Sequence, residues 1–278
     1  MKKIGIIYHS GSGSTRLLCE VLRERLSPDF EVELHSVGTY DGASLMRFDC
    51  IVIAFPTYHC RPSESIMEFV DALPPARIAK RAVVLTTYGL YPGNSVRILA
   101  EKLREKQIVT VHHLAVRGPA SDGALMLPPW ISFMFRYERS VAAKIDDTIG
   151  AVGSIVKAEP VRTEIPAYKW YVPFTALPQF FGKRTYMKLK ERMSIDGERC
   201  TNCGVCIRAC DRACWTHAGT GENGEYTPVP IFRPERCEFC LRCIHGCPMR
   251  AIGFAAGMKN APRLDTTFYG DMKRRLAG

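Results

Sequence analysis

No apolar run in this chain approaches the roughly eighteen residues that cross a bilayer; the stretch LMLPPWISFMF (125–135) is short and broken by two prolines. The N-terminal MKKIGIIYHS carries two lysines but too brief an apolar run for the core of a secretion signal. The expectation is a cytoplasmic chain without a membrane span, in a compartment where thiols stay reduced. Zinc-finger, RNP and helix-turn-helix signals are also missing. The excess of 38 Lys+Arg over 28 Asp+Glu therefore does not read as a nucleic-acid interface. No general base, nucleophile or catalytic triad stands out. His35, His112 and His113 fall within or at the ends of expected strands, as structural residues.

What is present is a globular composition, 46% hydrophobic and 24% charged, over 278 residues, enough for one large domain or two ordinary ones. Residues 1–158 alternate apolar strand runs (3–9, 31–37, 50–56, 82–89 and 109–116) with helical patterns at 14–26, 63–73, 94–106 and 138–157. The last pattern puts Val141, Ile145, Ile149, Val152 and Val156 on one face. Strands alternating with helices predict βαβ units, hence a parallel sheet covered on both sides. Residues 159–194 are a connector rich in proline and aromatics. Its segment 162–192 carries seven Lys/Arg against two Asp/Glu, which suits either docking of an acidic partner or a solvated connector. A second unit follows at 195–255, then a polar, basic tail or short helix at 256–278.

Directly after the first strand runs HSGSGSTR, His9 to Arg16, opening a helix. Gly11 and Gly13 let the backbone turn tightly, and amides converge where the helix begins. Ser10, Ser12, Ser14 and Thr15 add hydroxyl donors, so the loop suits a terminal phosphate. It lacks the lysine of a Walker loop and the third glycine of a dinucleotide fingerprint. Strand three ends in FPTYHCRP and strand four in TTYGLYPGN. The candidate ligand residues there are Pro56, Thr57, Tyr58 and His59, then Thr87, Tyr88, Gly89, Tyr91 and Gly93. Tyr58, His59, Tyr88 and Tyr91 are the candidates to flank a flat ring. Cys60 could approach such a ring, and an incidental thiol is the plainer reading. The loop resembles the flavodoxin phosphate loop, and that resemblance implies FMN at the switch point of a sheet ordered 2-1-3-4-5.

Nine of the twelve cysteines lie between residues 200 and 247. CTNCGVCIRACDRACW and CEFCLRCIHGCPMRAI align without a gap, each bearing C-x2-C-x2-C-x3-C. Zinc ribbons pair two C-x2-C knuckles and need no third and fourth thiol at these intervals. Three close cysteines suit three corners of one iron–sulfur cube, with the fourth reaching the other cube, as in two-cluster ferredoxins. That assigns Cys200, Cys203, Cys206 and Cys247 to one [4Fe–4S] cluster, and Cys237, Cys240, Cys243 and Cys210 to the other. Asp211 stands where the second copy has Pro248, so the turn after Cys210 is expected to be less rigid. Cys214 stands opposite Ala251 and reads as a small buried residue.

SGSGST, PTY, TTYG and the paired cysteine runs together resemble the EFR1-type family of flavodoxin–ferredoxin fusions, over nearly the whole chain. The resemblance implies a flavodoxin-like, doubly wound, five-stranded parallel sheet followed by a small α+β two-cluster ferredoxin-like domain. It implies an electron carrier of anaerobic metabolism with FMN and two [4Fe–4S] clusters, serving separate redox protein partners. Two other functions stay open: an FMN-dependent reductase of a quinone or similar small molecule, its pocket lined by 125–135, and a cluster-based redox sensor.

Overall fold

The computed structural model of the chain describes residues 1–126, 136–160, 162–163, 165–170, 186–220, 226–255 and 258–277. Most of the stretch 125–135, the bulk of the aromatic connector and the middle of the loop 217–226 lie outside the described residues. Among the described residues, no helix is long and apolar enough to cross a membrane.

The first unit runs β1 (Lys3–Tyr8), α1 (Ser14–Leu26), β2 (Glu31–Ser36), β3 (Cys50–Tyr58), β4 (Arg61–Pro62), α2 (Glu64–Ala72), β5 (Lys80–Tyr88), α3 (Ser95–Glu105), β6 (Ile108–Arg117), α4 (Ser121–Met126) and α5 (Val141–Val156). The sheet order is β2-β1-β3-β5-β6, with all neighbours parallel. Counting only these five long strands, this is the expected 2-1-3-4-5, the flavodoxin-like doubly wound order. The addition is β4, a two-residue arm folded back antiparallel on the end of β3.

Period-two alternation in the strands splits the core into two layers. Ile4, Ile6, Val52 and Leu85 meet Leu18 and Leu22 of α1 and Ile145 and Val152 of α5 on one face. Ile7, Ile51, Ile53 and Val84 meet Ile66 and Val70 of α2 and Leu99 and Leu103 of α3 on the other. Each fully buried aliphatic side chain contributes about 1.5–3 kcal/mol. On α5, Val141, Ile145 and Val152 are buried, while Ile149 and Val156 pack at the rim. Cys19 and Cys50 sit wholly inside this core, where burial pushes the Cys50 thiol up to about 12 and the Cys19 thiol up as well. They behave as small apolar residues.

In the second unit the sequence repeat is also a backbone repeat. Asn202, Gly204 and Ala213 have left-handed φ angles, and so do their counterparts Phe239, Leu241 and Arg250. Each copy begins and ends with a two-residue strand, and the copies exchange partners. The closing strand Trp215–Thr216 of the first copy pairs with the opening strand Ile231–Phe232 of the second. The closing strand Ile252–Gly253 of the second copy pairs with Ser194–Ile195, which precedes the first. Trp215, Leu241, Ile244, Ile252 and Phe254 form the small core beneath the thiols. The segment expected as a surface tail or short helix carries the helix Thr266–Ala277, whose Met272 is buried against the core of the first unit.

Candidate functional site

The cleft lies where the carboxyl ends of β1, β3 and β5 meet, a cavity of about 240 Å³. Of the residues singled out in the sequence, Ser10, Gly11, Ser12, Ser14, Thr15, Pro56, Thr57, Tyr58, His59, Thr87, Tyr88, Gly89 and Tyr91 line it. Gly13 and Gly93 do not, and act through the backbone. Gly13 turns the chain into α1 at φ 124, with the Tyr269 ring where a β-carbon would be. Gly93 sits at φ 57, where a β-carbon would come within 2.3 Å of the Cys60 β-carbon. Opposite it, His59 and Cys60 form the two-residue turn between β3 and β4, both left-handed at φ 50 and 61. This is the positive-φ pattern of a tight hairpin, carried here without glycine.

The loop hydroxyls are largely spent on holding the loop. Ser10 Oγ accepts from the Arg16 amide at 3.2 Å, and Ser14 Oγ donates to Tyr137 Oη at 3.1 Å. Thr15 and Thr87 share a hydrogen bond of 2.8 Å, and Ser12 shares one of 3.2 Å with Tyr269. By contrast, no hydrogen bond among the described residues takes the amides of Gly11, Ser12 or Gly13. The free donors at the mouth of α1 are therefore backbone N–H groups, the arrangement that binds anions. Thr57 Oγ1 lies 2.8 Å from both Thr86 Oγ1 and Ser95 Oγ, fixing the β3 end beside β5 and α3.

The sequence reading missed the wall contributed by the second unit. Glu238, Phe239 and Leu241 line the cavity, as does Tyr186, whose hydroxyl donates to Asp122 at 2.6 Å. Glu238 is buried against His9, with Oε1 3.0 Å from Nε2, while His9 Nδ1 lies 2.9 Å from Ser63 Oγ. Ser65 donates to the same carboxylate from its amide (3.2 Å) and its hydroxyl (2.8 Å). Burial alone would raise the Glu238 carboxyl, but the His9 charge and these hydrogen bonds outweigh it and hold it down at about 2. The signal was in the repeat: Glu238 and Arg242 are charged where the first copy has Thr201 and Val205.

The thiols ring two places. Cys200, Cys203, Cys206 and Cys247 line one cavity, with Ile195, Val205 and Ile252. Cys210, Cys237 and Cys240 line another with Cys214, and Cys243 stands close by, within the electrostatic reach of all three. Backbone amides aim at the sulfurs at matching positions: Cys214 N to Cys210 Sγ and Ala251 N to Cys247 Sγ, each 3.3 Å. Phe239 N adds one to Cys237 Sγ at 3.4 Å. The neighbouring Cys214 thiol, whose Sγ donates to the Arg212 carbonyl at 3.7 Å, is the main influence that lowers Cys210 and Cys237 below the usual thiol range. Among the described residues, no group of three or more His, Cys, Asp or Glu side chains is arranged to hold a metal ion. Asp211 is tied by an ion pair of 2.7 Å to Arg242, so the turn after Cys210 is braced without proline. Of the basic connector, Lys190 is buried and donates to the Cys237 carbonyl at 3.2 Å, and Lys169 lies over the Tyr91 ring.

No family model matches the chain. A flavodoxin of Synechocystis sp. is 27% identical over 74 residues, which cover 26% of this chain and 44% of that protein, less than half its length. Among solved structures, oxidised flavodoxin 1 from Bacillus cereus is 20% identical with a TM-score of 0.43, covering 57% of this chain and 100% of its own. A flavodoxin of Streptococcus pneumonia is 12% identical with a TM-score of 0.44, over 55% and 98%. Rubredoxin oxygen:oxidoreductase from Desulfovibrio gigas is 16% identical with a TM-score of 0.41, over 57% and 37%. At these scores the structural likenesses add nothing to the strand order itself.

Proposed function

We propose that the chain is an electron-transfer flavoprotein holding FMN in the cavity at the carboxyl edge of the sheet and two [4Fe–4S] clusters among its paired thiols. It would pass electrons between two-electron and one-electron redox proteins. One observation carries this reading: Glu238, Phe239 and Leu241 line the cavity, while Cys237, Cys240 and Arg242, interleaved with them, line a ring of thiols. A single stretch of chain is thus the wall of both sites.

The chemistry of the donors present suits both groups. Three free amides at the start of a 13-residue helix fit a phosphate monoester. Tyr58, Tyr88 and Tyr91 offer ring faces and edges to a flat heterocycle, and the flavodoxin relative supplies the ligand class. Cys200, Cys203, Cys206 and Cys247 would hold one cluster, and Cys237, Cys240, Cys243 and Cys210 the other. Their thiols are the donors such clusters take, and amides directed at Cys210, Cys237 and Cys247 are a known means of setting their potential. Near Cys247, Arg263 is buried with Nε and Nη1 unpartnered among the described residues, and the other charge acting on it is the like-signed Arg250. A buried guanidinium so placed calls for negative charge, which thiolate-bound iron–sulfur would provide.

When bound, FMN exchanges one or two electrons and each cluster one. The chain's own free amides would grip the phosphate, and Tyr58, Tyr88 and Tyr91 would flank the ring. The chain puts one ring of thiols directly behind the cavity wall and leaves the other, with exposed Cys203, toward solvent. Anaerobic purification followed by iron, sulfide and flavin assays on one sample tests this. About eight irons, about eight sulfides and about one FMN per chain are expected; zinc without flavin would overturn it. An acidic partner docking on 162–192 would show as reduction rates that fall steeply with ionic strength, and salt-independent rates would remove that partner.

A further inference from the structure

We infer that Arg242, from the cysteine unit, is the positioning residue that shapes the phosphate loop, so that FMN affinity depends on the second thiol ring being formed. The inference rests on the FMN reading above and adds a linkage between its two sites. Arg242 lies between Cys240 and Cys243 and spends its guanidinium on two groups at once. Toward the loop, Nε donates to the carbonyls of Ser10 (3.1 Å) and Gly11 (3.2 Å), and Nη2 also donates to Ser10 O. Toward the turn that carries Cys210, Nη1 donates to the Ala209 carbonyl at 2.7 Å and pairs with Asp211 at 2.7 Å.

The consequence follows from peptide geometry. In a trans peptide the C=O of one residue and the N–H of the next point in opposite directions. Tying Ser10 O and Gly11 O to Arg242 turns the Gly11 and Ser12 N–H groups away from it, and these amides have no other partner among the described residues. The second unit also fills the space behind the loop: a β-carbon on Gly11 would meet the Cys240 carbonyl at 2.7 Å. A loop with untied carbonyls would be free to rotate its peptide planes and lose the converging amides. Since the same guanidinium braces the Cys210 turn, order at the thiols and order at the loop are coupled, and the coupling is reciprocal.

The test titrates FMN and riboflavin, followed by flavin fluorescence, into flavin-free full-length protein. Three samples are compared: iron-loaded wild type, iron-loaded Arg242→Lys, and wild type stripped of iron anaerobically by a chelator. Riboflavin lacks the phosphate, so a loop effect moves FMN alone, whereas loss of fold moves both. Expected is an FMN affinity about tenfold to a hundredfold weaker in the last two samples, with riboflavin unchanged. FMN binding within twofold of wild type in either sample overturns the linkage. Should Arg242→Lys lose riboflavin too, Asp211→Asn decides: weaker FMN with riboflavin retained supports the linkage, and unchanged FMN refutes it. Iron-loaded wild type that binds neither flavin would instead sink the FMN reading itself.

Discussion

A left-handed backbone angle costs little for glycine and more for any residue with a β-carbon, yet this chain uses it at Phe239 and Leu241 opposite Asn202 and Gly204. Nothing in the composition of CEFCL announces that, whereas the gap-free match to CTNCG does: equivalent thiols need equivalent turns. The cysteines themselves were plain in the sequence. Glu238 and Arg242 were not, because a charged residue inside a cysteine motif gains its meaning from what faces it. Two outcomes are expected at this scale. Gly93→Ala, forced to φ 57 with its β-carbon against Cys60, should lose about 1–3 kcal/mol of stability by urea unfolding. Under the proposed reading, Cys247→Ser should remove about half the iron while FMN still binds. A variant with its full iron content would break the assignment of Cys247.

Among the elements, long periodic ones were the most legible. The expected α1 (14–26) and the observed Ser14–Leu26 coincide, and α5 shows its apolar face as read. Periodicity works there because burial on one side of a helix or strand selects the residues directly. Short elements escaped: β4 has two residues and α4 six, and neither is long enough to display a period. For the C-terminal helix Thr266–Ala277, a short helix is among the expectations, and what escaped was its burial. Its polar, basic sequence reads as solvated, yet Phe268, Tyr269 and Leu276 pack beside the core of the first unit, and Lys273 pairs with Glu24 of α1. Met272→Ala should therefore destabilise the protein by about 2–3 kcal/mol. A thermal midpoint equal to wild type would mean that the helix carries no stability.

At the scale of the molecule, buried polar residues join the units. His245, 2% exposed, accepts from the Leu264 amide at Nδ1 (3.1 Å), so Nε2 donates to the Ser121 carbonyl (2.9 Å). Burial disfavours its charged form and holds its pKa at about 4, below the ordinary 6.5. The unfolded chain then binds the extra proton between those values. The contribution is fully present above about pH 6.5 and is lost as pH falls toward 4, a span worth about 3 kcal/mol. Glu238, held at about 2, adds stability that is present above the ordinary carboxyl value of 4.5 and lost below it. Urea unfolding from pH 7 to 4.5 should show this decline in wild type and a flatter profile in His245→Asn. Parallel profiles would remove His245 as the cause.

The sequence by itself determined the alternation of strands and helices that makes a parallel sheet, the glycine- and serine-rich loop at the first strand's end, and the two matched sets of thiols. Each of these is written in local spacing, where periodicity, turn chemistry and repeat alignment act on neighbouring residues. Only the tertiary structure decided that the copies exchange their closing strands, that Glu238 and Arg242 reach His9 and the loop carbonyls, and that the last helix covers α1. The contacts of Glu238 with His9, Arg242 with Ser10 and Lys273 with Glu24 each join residues more than two hundred positions apart. What selects them is the need to pair every buried charge and carbonyl, a condition met between surfaces rather than along the chain.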